Sequence, residues 1–329
     1  SNQLGGQGGI MANFISRIGN RSIFYTPFLS DEIAALMDSD VVYPVVKENL
    51  GLTSVKNAVN SDRTKKNYVI EYEDNSCRLI LSDRVRGFGP YFRKGLGEKI
   101  HEAADNIDRM LLSGFHDADG NAEAKLEKSK QQSMKINVPK HLEFVSKSEK
   151  QDEMMLEHIA PRFTSIGLDG QELCNVAEIL GLDISCNPSL GEAYEAGKKI
   201  IEEVGIIRVH VHTLDFHVVI AKSEYSFEPE KIRSSMLFSS LAAVSMAEKG
   251  SIPKLDEIRF EDNSMHLNRL DQLEDFEEFF NLENFVDTGI AHLEDYKVIA
   301  APTIIHEEPE RLVGMGDIIS SGAFIAEIN

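Results

Sequence analysis

Cysteine is scarce in this chain. Cys77, Cys174 and Cys186 are the only three among 329 residues, and no two form a C-x-x-C pair. So sparse and odd a set supports neither a disulfide framework nor a zinc knuckle, and it fits a reducing cytoplasm. Cys174 and Cys186 read as small buried apolar side chains. Long hydrophobic runs are also missing: none nears the ~20 residues that a membrane-spanning helix requires. Positive charge is short as well, with 34 Lys and Arg against 54 Asp and Glu, a formal net charge of −20. That balance repels phosphodiester backbones and anionic lipid, which argues against a nucleic-acid or membrane-surface partner. No signal peptide is evident, and the start, Ser-Asn-Gln-Leu-Gly-Gly, has no initiator Met.

What is present is the composition of a folded globular protein, 42% hydrophobic and 27% charged. The length suits one large domain, or a core domain with a smaller one. Apolar spacing predicts helices over 8–17, 32–37, 122–134, 149–159, 171–180, 190–204, 229–249 and 316–328. Short apolar or β-branched runs predict strands at 22–25, 41–46, 109–112, 142–145, 164–167, 206–212, 217–221 and 297–300. Two runs, 68–72 and 78–81, flank Glu73-Asp74-Asn75-Ser76 and read as a hairpin in a small β-rich insertion. From about residue 97 strands and helices alternate, as in a mostly parallel sheet covered on both faces. The acidic run 271–285, with interleaved Leu and Phe, reads as an amphipathic helix with a solvated face.

Four clusters could carry chemistry. Gly314-Met315-Gly316-Asp317 leads into an apolar-periodic helix. Its glycines permit close backbone approach, and free N–H groups at the helix start suit phosphate. Asp317 there is placed to take a proton from a hydroxyl beside that phosphate; an N-cap in an ordinary turn is the simpler account. His141-Leu142-Glu143 puts His141 and Glu143 on one strand face. Asp169-Gly170-Gln171-Glu172 reads first as a capping box. Yet Glu143 and Glu172 both come at or just after strand ends, the ligand edge of an open α/β sheet, where two carboxylates can hold magnesium directly or through its waters. The fourth cluster, Gly5-Gly6-Gln7-Gly8-Gly9, opens a helix. His210, His212 and His217 have no third ligand of suitable spacing and read as sheet-packing residues.

Taken in order, Gly-Gly-Gln-Gly-Gly-Ile-Met-Ala-Asn (5–13), Tyr25-Thr26-Pro27, Leu112-Ser113-Gly114-Phe115, His141-Leu142-Glu143-Phe144, the run 165–172, Val211-His212-Thr213, Ala301-Pro302-Thr303 and Gly314-Met315-Gly316-Asp317 resemble the ADP-dependent sugar kinases. These are the archaeal-type ADP-dependent phosphofructokinases and glucokinases, with a ribokinase-like fold. The resemblance implies a ribokinase-like α/β fold: a central, mostly parallel sheet, helices on both faces and a small β-rich lid. Residues 1–96 would hold the sugar-binding start of the core and the lid, and 97–329 the nucleotide-binding and catalytic domain. Asp317 would be the base, with Gly314 and Gly316 forming the anion hole. Glu143 and Glu172, beside Asp317, would position Mg2+, with His141 shaping the same site. Gly5, Gly6 and Gln7 would meet the sugar. Val298, Pro302 and Thr303, with Val313 and Met315, would border the nucleotide. ADP would be the phosphoryl donor.

The chain departs from the family pattern in four places. The family's first sugar-binding strand is absent, Ile318 and Leu312 replace hydroxyl residues, and Gly170 is small. A basic patch at 84–94 adds Arg84, Arg86 and Arg93 as a clamp for a sugar phosphate. The expected activity is therefore ADP-dependent phosphofructokinase in a modified glycolysis, acting on small molecules in the cytoplasm as a monomer or dimer. The alternatives are a glucokinase, a bifunctional enzyme, or a catalytically weak sugar- or nucleotide-binding relative.

Overall fold

The computed structural model describes residues 3–71, 78–83, 85, 87–93, 95–118, 120–260, 265–267 and 270–328. Arg84, Arg86 and Cys77 lie outside the described residues. The chain begins with α1 (Gln7–Arg17) and α2 (Asp31–Leu36), the latter capped by the Ser30 side chain on the Ile33 amide. Two antiparallel hairpins follow, β1 (Val42–Val46) with β2 (Leu50–Ser54) and β3 (Lys66–Glu71) with β4 (Arg78–Asp83). The short α3 (Leu96–Lys99) closes this part. The strand expected at 22–25 is only a single bridge, Ile23 to Val42, because Thr26-Pro27 ends the run before a ladder can form.

The remainder alternates β5 (Met110–Leu112), α4 (Ala122–Ser133), β6 (Lys140–Glu143), α5 (Glu149–His158), β7 (Ser165–Asp169), α6 (Gly170–Ile179), α7 (Leu190–Val204) and β8 (Arg208–His212). Then come β9 (Phe216–Lys222), α8 (Pro229–Lys249), β10 (Met265–Leu267), α9 (Asp271–Phe280) and α10 (Phe285–Thr288). The chain ends with β11 (Ile290–Leu293), β12 (Tyr296–Pro302), β13 (Ile304–His306) and α11 (Met315–Ala326).

Seven strands form one sheet in the order β11-β12-β9-β8-β7-β6-β5. The pairs from β5 to β8 are parallel, and those at β8–β9, β9–β12 and β12–β11 are antiparallel. Five of the seven strands therefore point the same way. The strands β5 to β8 are joined through helices because parallel neighbours need crossovers, whereas the short turn after His212 forces β9 back as a hairpin.

The sheet is covered on both faces. Leu173, Val176, Ala193 and Ile200 from α6 and α7 pack with Ile166, Val209 and Val218 of the sheet in the largest core. On the other face Ile10 and Phe14 of α1, Ala242 and Met246 of α8, and Ile318 and Ile319 of α11 form a second cluster. Ile318 is fully buried there, which accounts for an apolar side chain beside Asp317. A third core, including Leu29, Met37, Val41, Tyr43 and Val55, holds the N-terminal part together.

The expectation of unpaired, buried cysteines is corrected. Cys174 and Cys186 form a disulfide, with Cα atoms 5.0 Å apart and a sequence separation of 12. Cys186 is exposed and Cys174 half-buried. Helix α6 and the loop leading to α7 fold back on each other, so two sulfurs that look isolated in sequence meet. The same loop fills the space beside Gly170: a Cβ there would stand 3.2 Å from the Cys186 carbonyl and from Pro188. A small residue at 170 fits this packing.

Candidate active site

The carboxylates gather at the C-terminal edge of β6 and β7 and at the start of α11. Glu143 ends β6 and is 5% exposed. Asp169 ends β7 and caps α6: its side chain accepts from the Glu172 amide at 2.8 Å, and Glu172 accepts from the Asp169 amide at 2.9 Å. The capping box is therefore present, and it holds Glu172 at the sheet edge. Asp317 lies in the first turn of α11.

Their electrostatics are coupled. Burial, then Asp317, raises the Glu143 pKa well above its ordinary value; hydrogen bonding from Ser320 opposes this, and Glu172 and Asp169 add to it. Burial, then Asp169, pushes Glu172 up to about 8. Burial raises Asp317 to about 7, opposed by Arg311. The Oε2 atom of Glu143 is buried and has no hydrogen-bond partner among the described residues. An orphaned carboxylate oxygen within a set of mutually repelling carboxylates fits a divalent cation. Among the described residues no three His, Cys, Asp or Glu side chains converge as a ready-made metal cage. Such an ion would thus keep water among its ligands.

Two close approaches shape this edge. Gly167 lies between Glu143 and His210 in the cross-strand row. A Cβ at 167 would fall 2.4 Å from Ser320 Oγ, 2.6 Å from Glu143 Oε2 and 2.8 Å from His141 Nε2. Only glycine lets those three groups converge. Gly314 caps α11 with φ +91°, and a Cβ there would fall 2.6 Å from Ile10 Cδ1. The turn therefore brings backbone N–H groups to the α11 start at a point where α1 also packs. At Gly316 the neighbour is His212 Nε2, 2.9 Å from an added Cβ.

A cavity of about 1740 Å³ lies between the N-terminal part and the sheet. Gly5, Gly6 and Gln7 line it, and Gln7 Oε1 is buried without a hydrogen-bond partner among the described residues. Val313, Leu312 and Arg311 line the side nearest α11. Arg93, from the basic patch, is exposed and stacks its guanidinium on Phe28 at 4.3 Å; Phe28 lines the cavity, whereas Arg93 is not among its lining residues. Five cations that the sequence reading missed do line it, Lys65 and Arg311 among them. Lys65 sits just before β3, with Nζ 2.7 Å from Asp117 Oδ2. Arg311 is 8% exposed, donates Nε–H to the Val313 carbonyl at 2.9 Å and Nη2–H to the Leu4 carbonyl at 3.1 Å. Their signal was faint, since a lone Lys or Arg in an acidic chain looks like any surface cation.

The expected nucleotide border is divided. Val298 is fully buried, with its side chain in the main hydrophobic cluster. Any approach of this strand to a nucleotide is therefore through its backbone and the residues that follow, not through the Val298 side chain. Pro302 ends β12, and Thr303 donates Oγ1–H to the Thr213 carbonyl at 3.0 Å, which ties this corner to the turn after β8. Met315 is part-buried against the α1–α8–α11 cluster.

The three histidines are buried residues of the sheet. The His210 ring centroid lies 5.8 Å from that of His212 and 6.3 Å from that of His217. Burial lowers His212 to about 4 and His217 to about 3, and His210 well below its ordinary value. Above the ordinary value of 6.5 these rings are neutral whether folded or unfolded. As pH falls below it, the unfolded chain binds protons that the folded chain refuses. Stability is then lost, at up to ~1.4 kcal/mol per pH unit for each histidine. His217→Phe is expected to flatten the acid limb of Tm against pH between 6.5 and 4; an unchanged slope would show that other groups set it.

Comparison with known proteins agrees over nearly the whole chain. Residues 1–326 match the family described as "ADP-specific Phosphofructokinase/Glucokinase conserved region". The chain is 29% identical to the ADP-dependent glucose/glucosamine kinase of Pyrococcus abyssi, over 99% of this chain and 76% of that protein. It is 25% identical to the ADP-specific phosphofructokinase of Methanosarcina acetivorans, over 98% and 75% respectively. A solved ADP-dependent kinase in complex with fructose-6-phosphate and ADPβS superposes with a TM-score of 0.91 at 28% identity, covering 99% of this chain and 80% of that one.

Proposed function

This chain belongs to the ADP-specific phosphofructokinase/glucokinase family and has its ribokinase-like fold, and we propose that it phosphorylates fructose 6-phosphate with ADP, giving AMP and fructose 1,6-bisphosphate. In this reading residues 1–96 supply the sugar side and the β-rich lid, and residues 97–329 supply the nucleotide side. The 1-hydroxyl of the sugar gives its proton to Asp317. Its oxygen bonds the β-phosphorus as the bond to the bridging oxygen of ADP breaks, and AMP leaves with that electron pair. Amides of the turn at Gly314 and Gly316 hold the phosphoryl oxygens as charge shifts across them. Glu143 and Glu172 would hold Mg2+, which supplies charge neutralisation at the phosphates when bound. Gln7, with its unpartnered Oε1 in the cavity, would accept from a sugar hydroxyl. Thr303 and the Val313–Met315 turn would border the nucleotide. A cytoplasmic location goes with this reading; among the described residues no helix is long and apolar enough to cross a membrane.

The observation that carries the choice of a phosphorylated sugar is the charge of the cavity wall. Arg21, Lys65, Lys66, Arg109 and Arg311 line it against Glu32, Asp108, Asp117 and Glu310; with Arg109 paired to buried Glu327, four cations face four carboxylates. The chain as a whole has 34 to 54. This locally balanced wall in an acidic chain suits an anionic ligand better than the rest of the surface does. Lys65→Ala is expected to raise KM for fructose 6-phosphate at least ~10-fold, the loss of one charged hydrogen bond, and to leave KM for glucose nearly unchanged. Equal effects on both sugars would sink the phosphate-clamp role. Removing the charge of Arg93 should act in the same direction, through Phe28.

A glucokinase is the second reading, favoured by the Lys65–Asp117 and Lys66–Glu32 pairs, which already neutralise two of those cations. Steady-state assays of the full chain with ADP or ATP over both sugars decide it. Turnover of glucose alone would overturn the proposal, and no turnover of either would favour a binding relative.

A further inference from the structure

A buried polar relay runs behind the active site. Cross-strand register places His141 of β6, Ser165 of β7 and Arg208 of β8 side by side in one row. Arg208 has no exposed surface in the middle of the sheet. Its Nη1–H donates to Ser165 Oγ at 2.8 Å, and Ser165 Oγ lies 2.8 Å from His141 Nδ1. On the far side of the imidazole, Nε2 lies 2.7 Å from Ser320 Oγ on α11 and 3.4 Å from Glu143 Oε2. Behind the arginine, Nε–H donates to Glu327 Oε1 at 3.0 Å. Glu327 Oε2 also accepts from Arg109 Nη1 at 2.9 Å and from the Tyr225 hydroxyl at 2.5 Å.

The direction of the hydrogen bonds follows from the donor inventory. A guanidinium can only donate, so Ser165 Oγ accepts from Arg208. The Ser165 hydroxyl proton then has one recorded acceptor among the described residues, His141 Nδ1. An imidazole with one proton whose Nδ1 accepts must carry that proton on Nε2. There it donates to Ser320 Oγ at 2.7 Å, with Glu143 Oε2 beside it at 3.4 Å.

We propose that Arg208, anchored by Glu327, is a positioning residue that fixes His141 as its Nε2–H tautomer and so aims Glu143. The proposal deepens the reading of Glu143 as a magnesium-side carboxylate and rests on it. A neutral donor at Nε2 gives its proton to Ser320 Oγ and leaves the Ser320 hydroxyl to steady Glu143, without the charge that would compete with a cation. Glu327 sits just past the end of α11, whose first turn carries Asp317. The same anchor therefore ties the helix bearing the proposed base to the row of strands β6 to β8, of which β6 bears Glu143.

The test uses the full chain with 15N-labelled histidine. In the metal-free protein the side-chain 15N shifts of His141 should show an unprotonated Nδ1 and a protonated Nε2. Arg208→Met should lose this single tautomer and give averaged shifts. Its fold is supported because Glu327 keeps its pairing with Arg109. Arg208→Lys, which keeps the charge and one donor, should restore the wild-type pattern. In parallel, Arg208→Met should raise the magnesium concentration needed for half-maximal rate about 10-fold, with KM for the sugar unchanged; one ill-positioned charged contact has that size. A proton on Nδ1 in the wild-type spectrum would overturn the proposal whether or not the variant folds, as would a wild-type spectrum from Arg208→Met. If instead the tautomer responds as expected while Glu143→Gln leaves magnesium dependence untouched, the relay stands and the reading of Glu143 fails.

Discussion

Asp317→Asn is expected to lower kcat by about 10²–10⁴-fold, the usual worth of a positioned general base, while ADP still binds. Asparagine has the same shape and keeps the first turn of α11, but it cannot take the proton of the sugar hydroxyl. The turn amides at Gly314 and Gly316 are backbone groups and survive the change, so phosphate binding persists. Burial places Asp317 at about 7, so the group is poised to exchange a proton near neutral pH. The same shift predicts a second effect of opposite sign. The folded pKa is raised, so the folded chain holds a proton that the unfolded chain releases. Stability from this group is present below its ordinary value of 3.8 and is lost as pH rises through about 7. At pH 8, Asp317→Asn should therefore raise the Tm of the metal-free protein while lowering turnover of the magnesium-loaded one. Turnover is read by single-turnover assay and Tm by calorimetry. An unchanged kcat would remove Asp317 from the role of base, and a lower Tm would show that its buried charge is compensated.

Gly167→Ala is expected to damage both fold and site. The added methyl meets Ser320 Oγ, Glu143 Oε2 and His141 Nε2, all closer than 3 Å. Two of them lie on β6 and one on α11, so none is the free end of a flexible surface side chain. Overpacking alone costs ~1–3 kcal/mol, and forcing the polar groups apart adds the cost of unmet hydrogen bonds. A fall in Tm of several degrees is expected. In addition, the magnesium requirement should rise well beyond that of a control with equal destabilisation, for which Leu126→Val, a fully buried core position away from this edge, serves. Equal magnesium dependence in the two variants would show that the strand end shifts as a unit and that the convergence at Gly167 is not needed.

Much of this was legible in the sequence because the signals are local. The spacing Ile10, Phe14 and Ile18 gave α1, Ser189 with Glu192 marks the start of α7, and Asp169 with Glu172 wrote its own capping box, found at 2.8 and 2.9 Å. The Gly314-Met315-Gly316-Asp317 step announced the start of α11. Other elements left weaker traces. Strand β2 contains Gly51 and lacks clean alternation, so its pairing with β1 depends on the hairpin rather than on pattern. Strands β11 and β13 are only four and three residues long. The cysteine pair escaped because the loop that closes it, 181–189, has no periodicity.

The sequence by itself determined the local chemistry: an acidic chain, glycine-led helix starts at phosphate-suited turns, and carboxylates at strand ends. Those features depend on residues within about four positions of one another, where capping, alternation and helical spacing act. Only the tertiary structure decided which groups meet. The Arg208–Glu327 contact spans 119 residues, the His141–Ser320 contact 179 and the Arg109–Glu327 contact 218. Register across β6, β7 and β8 and the packing of α11 on the sheet bring them together. Each partner taken alone is an ordinary polar residue, and its function arises from burial beside the others.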